Sequence, residues 1–323
     1  YYEHLQYRFH EPSNGARRRK IASVYYNDYR HYGSTGTSHQ KKGGTDVRSK
    51  RMHISDKIIN ILLILLAILF LVPFYFVIVN SFKSMNEITA DNVALPTSLN
   101  LDNFKQALSS IRYGQSLLNT FLITFFSNVG WILIAPMGAY YIGRIDNKFC
   151  KFLFTLIIAS MSIPFQAVMI PMVVVGTMFH LINSIPGVIV IYVGLAIPFA
   201  VFMCTGALRY IPREIEESAY IDGATQFQTF WKIVFPMMQS TIVTVTILNT
   251  FWFWNDFILP QILLQNKNAR TLQLAIYQLF GENVYQWNII MPALLLAILP
   301  IVIFFILMQS KIVEGVAAGA VKS

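Results

Sequence analysis

The chain has 323 residues, of which 55% are hydrophobic and 13% are charged, and its formal net charge is +9. Soluble domains carry about 25% charged residues, so this composition excludes an ordinary soluble domain and indicates a protein whose solvent is the lipid bilayer. The expected fold class is an all-α membrane protein, because helices satisfy their own backbone hydrogen bonds in hydrocarbon.

The first 55 residues are expected to form a basic tail on the cytoplasmic side. Residues 1–58 contain twelve Lys or Arg against five Asp or Glu, and positive charge accumulates on the cytoplasmic side of membrane proteins. The basic run Arg17–Lys20 lacks the pattern of a folded nucleic-acid-binding module, so no nucleic acid partner is expected. The tail is interpreted as topological charge beside the lipid of the inner leaflet.

Stretches without charged residues predict six membrane-spanning helices, each needing about 20 apolar residues. The longest stretch, 152–208, is long enough for two spans, and His180, Asn183 and Pro186 divide it near its middle. The expected spans cover residues 58–82, 117–142, 152–177, 186–206, 237–263 and 288–310.

Six spans place both termini in the cytoplasm, and the charges of the loops agree with this topology. Of the twenty-five Lys and Arg residues, twenty fall in segments assigned to the inner side and five in outer segments. The expected organisation is a tail at 1–55, a six-helix transmembrane domain at 56–310 and a cytoplasmic C-terminal tail at 311–323.

No recognisable catalytic motif occurs in the sequence. A phosphate-binding loop, an HExxH motif, a CxxC pair and a GxSxG turn are absent, and the six histidines are scattered. Cys150 and Cys204 do not indicate a disulfide framework. The chain is therefore expected not to be an enzyme and to hold neither a metal nor a cofactor, so that the energy for any work must come from elsewhere.

The segment 210–236, between the fourth and fifth spans, predicts two helices joined by a turn in the cytoplasm. Pro212 suits the first turn of a helix, and Gly223 suits the left-handed residue that ends one. Thr225 and Gln228 have the spacing of a capping box for the second helix.

Each predicted helix of this segment has an apolar side. In the first helix, Ile211, Ile215 and Ala219 form a narrow stripe that leaves the glutamates on the other faces. In the second, the aromatic face that runs from Phe227 to Phe235 is expected to pack against the membrane helices.

The same segment resembles the cytoplasmic loop of permease subunits of bacterial ATP-binding-cassette importers. The pattern of that loop is Glu-Ala-Ala, a Gly four residues on, and a later Ile-x-Leu-Pro. Glu217, Ser218 and Ala219 stand at the first three positions, with Ser for Ala, and Gly223 follows. The stretch from Ile233 to Pro236 has Phe for Leu.

The resemblance extends over about residues 55–323 and is closest to the carbohydrate branch, maltose-type. It rests there on Asn119 and Thr120, on Trp254 to Phe257, on 271–275 and on the tail at 315–322. It implies a permease that lies in the bacterial cytoplasmic (inner) membrane and imports a carbohydrate, expected to be an oligosaccharide.

The resemblance also implies which residues touch an ATPase. Glu217 is the expected principal contact and Gly223 the turn that allows close approach. The expected coupling residues are Glu214, Glu217, Ser218, Ala219, Asp222, Gly223, Ala224, Ile233 and Pro236. The C-terminal residues expected to contact the ATPase are Gly319, Ala320, Val321 and Lys322.

Four kinds of partner follow from the resemblance. They are a second, homologous permease subunit, two ATPase subunits that carry ATP and Mg, an extracytoplasmic solute-binding protein, and the carbohydrate itself. The alternatives are a permease of the same superfamily for a non-sugar solute and, from another class, an ion-driven secondary transporter. Ion coupling predicts paired acids inside the spans, whereas Asp256 alone lies close to one.

A polar and aromatic cluster in the fifth span is the candidate pathway for a saccharide. Asn249, Trp252 and Asp256 share one helical face, and Trp254 and Asn255 lie beside them. Sugars are bound by aromatic faces together with amides and carboxylates. The alternative is that the tryptophans anchor the helix at the membrane interface and that Asp256 faces water.

Overall fold

The computed structural model describes residues 54–282 and 286–320, which form helices and no strand within those ranges. The chain divides into two units, Tyr1–Leu63 and Ile64–Ser323. Of the first unit, the described residues are the opening part of one helix. The expected basic tail therefore lies almost wholly outside the described residues.

Thirteen helices and one 3₁₀ turn (Lys267–Ala269) follow one another in the described ranges. The first seven are α1 (Ile54–Ser81), α2 (Met85–Ala90), α3 (Asp102–Ser110), α4 (Tyr113–Arg144), α5 (Lys148–Met161), α6 (Phe165–Met178) and α7 (Ile185–Leu208). The next six are α8 (Arg213–Ile221), α9 (Gln226–Met237), α10 (Gln239–Asn255), α11 (Ile258–Leu263), α12 (Leu272–Glu282) and α13 (Trp287–Ala320).

Four of these helices are long and apolar enough to cross a bilayer by themselves: α1, α4, α7 and α13. Two pairs, α5 with α6 and α9 with α10, pass the same test only together, because bends of 107° and 71° break them. The described residues therefore hold four spans, or six if each bent pair counts as one. The first, second, fourth and sixth predicted spans are confirmed as continuous helices.

The third predicted span, 152–177, is not the single helix that the sequence suggested. Helix α5 ends at Met161, and α6 starts anew at Phe165. Pro164 stands between them with φ −58° and ψ 137°. A proline disfavours the helical conformation in the residue before it, so the chain turns here instead of kinking within one helix.

The fifth predicted span, 237–263, is also interrupted. Helix α10 ends at Asn255, since Asp256 is extended with φ −74° and ψ 131°. The Asp256 carboxylate then accepts a hydrogen bond of 2.9 Å from the Ile258 backbone N–H at the start of α11. Aspartate in this role favours a turn and the start of a new helix over a continued one.

The predicted division between the third and fourth spans is confirmed. His180 and Asn183 both have positive φ, at 54° and 61°, which interrupts a right-handed helix. The Ser184 hydroxyl then caps α7, and Pro186 lies in its first turn. Asn183 ties this loop to the segment after α11, because its carboxamide oxygen accepts from the Gln265 and Asn266 backbone N–H groups.

The sixth span continues beyond its predicted end at residue 310. Helix α13 runs to Ala320, so most of the segment assigned to a C-terminal tail is helical. Gly319 and Ala320 lie in its last turn. Val321 and Lys322 lie outside the described residues.

Helices α4 and α7 form the core of the bundle and pack closely through small residues. A Cβ added at Gly130 of α4 would lie 2.5 Å from a methyl group of Val193, and one at Gly143 would lie 2.7 Å from Leu208. Small residues at a membrane helix interface let the backbones approach, which is what drives association in lipid.

The N-terminal turns of α4 are held by hydrogen bonds to the loop before α12. Asn119 donates to the carbonyls of Asn268 and Arg270 at 2.8 and 3.0 Å. Thr120 accepts from the Leu272 backbone N–H at 2.8 Å. Asn119 and Thr120, two residues on which the family resemblance rests, therefore join the second span to the loop before α12.

Candidate functional site

The first helix of the segment 210–236 forms as the local signals predict. Pro212 stands immediately before α8, as its cap residue. Gly223 has φ +84°, so the predicted left-handed turn is confirmed. The Ala224 backbone N–H closes the helix end by donating to the Ala219 carbonyl at 2.9 Å.

The predicted capping box at the start of α9 is confirmed as well. The Gln228 N–H donates to the Thr225 hydroxyl at 3.3 Å, and the Thr225 N–H donates to the Gln228 side chain at 2.9 Å. The next turn, Phe230–Val234, is a π-helix. Insertions of this kind occur often at functional sites.

The surface of α8 carries both acids and large apolar side chains. The expected contact residues that are exposed are Glu214, Glu217, Ser218, Asp222, Gly223 and Pro236, whereas Ala224 and Ile233 are half-buried and Ala219 is buried. Ile221 is 87% exposed, and Tyr220 beside it is also exposed. Single exposed apolar residues are common on protein surfaces, whereas neighbouring ones are less so. The exposed apolar residues beside the acids therefore give this surface the composition of a protein contact.

Phe227 does not pack against the membrane helices as the sequence suggested. Its side chain is 62% exposed. The contact between α9 and the bundle begins one turn later, at Phe230 and Val234, which are buried. The Phe227 side chain instead lines an open hollow together with Met137 and Tyr141 of α4.

Glu216 has a position that the sequence did not predict. The apolar stripe of α8 was expected to leave all the acids on outer faces, but Glu216 is only 5% exposed, while Ile215 of the stripe is exposed. The Arg144 guanidinium of α4 lies 2.6 Å from the Glu216 carboxylate and donates a second bond of 2.7 Å from Nε. The ion pair turns α8 so that Glu216 faces inward.

Two tyrosines complete the hydrogen bonding of this buried carboxylate. The Tyr140 hydroxyl donates to the other oxygen of Glu216 at 2.8 Å. Since its one proton is used there, the Tyr220 hydroxyl, 3.0 Å away, donates to it. Arg144 also donates to the Ile211 carbonyl at 2.8 Å, so the start of α8 is held to α4 as well. A buried charge pair needs this full satisfaction to be tolerated.

The pathway residues separate into an accessible group and a buried group. Trp252 is 40% exposed, and Asn255 is exposed. Asn249 is buried, and so is Trp254, at 7% exposed, where it packs in a cluster with residues of α12. The structure therefore does not bring the five predicted residues onto one accessible surface.

Asp256 belongs to a contact that the sequence did not reveal. The Tyr192 hydroxyl of α7 donates to its carboxylate at 2.9 Å. The Tyr192 ring meets the Trp252 ring edge-on, with centroids 5.9 Å apart. Tyr192 thus contacts both the Asp256 carboxylate and the Trp252 ring. Of the two aromatic rings, that of Trp252 is the accessible one.

Neither a metal cluster nor a disulfide is found in the described part of the chain. No three His, Cys, Asp or Glu side chains there could hold a metal ion together. Cys150 and Cys204 are buried free thiols.

Comparison with a family model places most of the helical bundle in one family. Residues 132–316, more than half of the chain, match the model described as "Binding-protein-dependent transport system inner membrane component". The match covers the segment 210–236 and the α10 region.

This chain aligns with nearly the whole length of each of three curated relatives. The chain is 37% identical, over 84% of its length and 99% of the relative, to the probable starch degradation products transport system permease protein AmyC of Thermoanaerobacterium thermosulfurigenes. It is 32% identical, over 83% and 97%, to the melibiose/raffinose/stachyose import permease protein MelC of Bacillus subtilis (strain 168). It is 33% identical, over 81% and 95%, to the multiple sugar-binding transport system permease protein MsmG of Streptococcus mutans.

A solved structure has a similar fold. A chain of a bacterial ABC transporter involved in the import of the acidic polysaccharide alginate matches with a TM-score of 0.66 and 22% sequence identity. The match covers 80% of this chain and 98% of that one.

Proposed function

The chain belongs to the family of binding-protein-dependent transport system inner membrane components, and on this premise we propose that it is a permease subunit of an ATP-driven carbohydrate importer. It is a multi-pass protein of the inner membrane and a transport component, not an enzyme. In this role it forms part of the translocation pathway, and ATP with Mg is bound and hydrolysed by partner subunits.

An oligosaccharide is the proposed substrate class. The names of the relatives refer to starch degradation products, to melibiose, raffinose and stachyose, and to multiple sugars. Support from this chain is the group formed by Trp252, Tyr192 and Asp256, because an accessible indole beside a carboxylate suits a sugar ring. Asn255 is the next polar residue on this accessible side.

The proposed topology places both termini and the segment 210–236 in the cytoplasm. It is supported by the basic residues of the inner segments. We keep the proposed organisation of an N-terminal tail at 1–55 and a transmembrane domain at 56–310, and we extend the last helix to Ala320. The expected ATPase contact of Gly319 to Lys322 then lies at the end of α13.

The proposed partners are a second permease, two ATPase subunits and an extracytoplasmic solute-binding protein. A cavity of about 470 Å³ between α4, α10 and α13 has an almost wholly apolar lining, including Phe121, Phe125 and Phe304, which suits a helix of the second permease. For the solute-binding protein, the support is that one similar solved structure is a complex with an alginate pentasaccharide-bound periplasmic protein.

The observation that supports the coupling mechanism is that α8 has an exposed surface on one side and is bound to α4 on the other. Glu217, Asp222 and Ile221 face outward, where an ATPase subunit would bind. Glu216 faces inward and is paired with Arg144. Movement of the ATPase is thus passed to the second span through this ion pair, in addition to the fifth span through Phe230 and Val234.

Reconstitution of the complex in liposomes tests the proposed function. Uptake of an oligosaccharide is expected only when ATP is inside with the ATPase subunits and the solute-binding protein is outside. Uptake driven by an ion gradient without ATP would contradict the proposal and support a secondary transporter. ATP-driven uptake restricted to a non-sugar solute would contradict the proposed substrate class.

A further inference from the structure

A basic cavity of about 270 Å³ lies where α4 and α7 end and α5 and α8 begin. It is separate from the proposed saccharide group, and Arg213 is the one residue of α8 in its lining. Its lining combines basic side chains, one carboxylate and apolar side chains, among them Arg144, Lys151, Arg209, Arg213, Asp146 and Phe154.

Two of the four basic side chains are already paired with acids. Arg144 is bound to the buried Glu216. The Lys151 ammonium lies 2.6 Å from the Asp146 carboxylate, and both side chains are largely exposed. The positive charge of the cavity that is not paired with an acid therefore belongs to Arg209 and Arg213.

Arg209 and Arg213 supply an excess of two positive charges. The Arg209 side chain forms neither an ion pair nor a hydrogen bond with any residue that the structure describes. Arg213 donates a long bond of 3.3 Å to the Arg144 carbonyl. It contributes to lowering the pKa of Asp146, but that carboxylate is paired with Lys151, and within the described ranges Arg213 forms no ion pair of its own. Arginine side chains gathered around a concave surface are typical of phosphate recognition, because their guanidinium groups bind phosphate oxygens bidentately.

The helix dipoles explain only one of these two positions. Arg209 is the C-cap of α7, where a cation is favourable. Arg213 is the first residue of α8, where the dipole disfavours a cation. A bound anion would offset that cost, since helix N-termini favour negative charge.

The remaining lining suits a group that is anionic at one end and apolar at the other. Thr205 is only 5% exposed, and its hydroxyl has no partner among the described residues. Phe154, Ile142 and Leu208 form an apolar wall beside the charges. The cavity lies at the ends of the apolar helices α4 and α7, which is the level of lipid headgroups in a bilayer.

We propose that this cavity binds a phosphate group carried by an anionic phospholipid of the inner leaflet. Basic pockets between membrane helices on the cytoplasmic side bind such headgroups. The leaflet rests on the topology of the proposed function, whereas the phosphate chemistry rests on the cavity itself.

The test measures lipids retained by the purified complex. The complex is exchanged into nanodiscs that contain phosphatidylglycerol and phosphatidylethanolamine, and the bound lipids are identified by native mass spectrometry after release. We expect selective retention of phosphatidylglycerol, reduced about fivefold by Arg209→Gln, since one basic residue near an anionic surface contributes roughly that factor. Arg209→Lys should keep most of the retention.

Lys105→Gln is the matched control, because Lys105 forms an exposed pair with Asp102 on α3, away from the cavity. It should retain phosphatidylglycerol as the unchanged protein does. Equal retention of the two lipids, or unchanged retention in Arg209→Gln, would overturn the proposal. So would release of phosphatidylglycerol by excess inorganic phosphate, because that outcome assigns the cavity to a soluble anion. This readout needs neither ATP nor sugar, so it can fail while ATP-driven uptake persists.

Discussion

Arg144 and Glu216 stand 72 residues apart in the chain, yet their charged groups meet at 2.6 Å in a buried contact. The contact joins the end of the second span to the inner face of α8. Breaking such a pair from one side leaves an unpaired buried charge, which costs about 3–5 kcal/mol. The pair is therefore both the attachment of α8 and the most direct connection between its exposed surface and the membrane helices.

Replacing Glu216 should loosen α8, whereas replacing its neighbour should not. Glu216→Gln leaves the Arg144 guanidinium without a counter-charge, so we expect faster hydrogen exchange over residues 213–223 and weaker ATP-driven uptake. Glu217→Gln is the matched control, because Glu217 is exposed and holds no part of the fold. It should reduce ATPase binding with unchanged hydrogen exchange in the isolated permease. Equal exchange in the two variants would show that the ion pair does not hold α8.

Gly223 should be sensitive to alanine for conformational reasons alone. A Cβ there would meet no atom within 4 Å, but the backbone has φ +84°. An L-residue in this conformation costs about 1–2 kcal/mol. Gly223→Ala should therefore lower the apparent Tm of the purified protein. Gly206→Ala is the control, since Gly206 has the same free space within the helix α7 and should be neutral or stabilising. A Tm for Gly223→Ala no lower than that of the control would contradict this account of the turn.

The two tryptophans of α10 should have different effects when truncated. Trp252 is accessible, so Trp252→Ala should raise the KM for oligosaccharide uptake and leave the apparent Tm nearly unchanged. Trp254 is buried, so Trp254→Ala should destabilise the protein by about 3–5 kcal/mol. Kinetics of uptake and thermal unfolding of both variants check this. A KM effect confined to Trp254→Ala would assign the saccharide to the other side of α10.

The outer segment around α2 should weaken in acid. Hydrogen bonds from the Thr97 side chain and then from Ser84 lower the pKa of Glu87 from 4.5 to about 2. Because the pKa is lower in the folded state, the stabilisation is complete above pH 4.5 and is lost as the pH falls towards 2. Hydrogen exchange over 84–97, corrected for the intrinsic rate, should rise in this window. Glu87→Gln should show fast exchange at every pH, and an acid response in that variant as large as in the unchanged protein would refute the assignment.

Local signals predicted the parts of the site that depend on neighbours in sequence. The capping box of Thr225 and Gln228 and the left-handed Gly223 need only a few adjacent residues to form. The break at His180 and Asn183 also follows from short polar and proline signals. Each was correct because the energy that decides it is local.

The parts that failed depend on contacts between distant segments. The apolar stripe placed Ile211 and Ala219 on the inner face correctly, but it did not reveal Glu216, whose inward position depends on Arg144 of another helix. The contact between Asp256 and Tyr192 was not foreseen, because Tyr192 lies 64 residues earlier in the chain. The single helix expected over 152–177 failed at Pro164, because nothing local decides between a kink within one helix and a turn between two.

Protection of a single cysteine tests the central claim, that an ATPase binds the outer face of α8, most directly. Ser218 is exposed on α8, while Cys150 and Cys204 are buried, so Ser218→Cys provides one reactive thiol. The rate of maleimide labelling is measured for the permease alone and for the complex with its ATPase subunits. The account predicts rapid labelling of the permease alone and strong protection in the complex. Equally rapid labelling in both would contradict it.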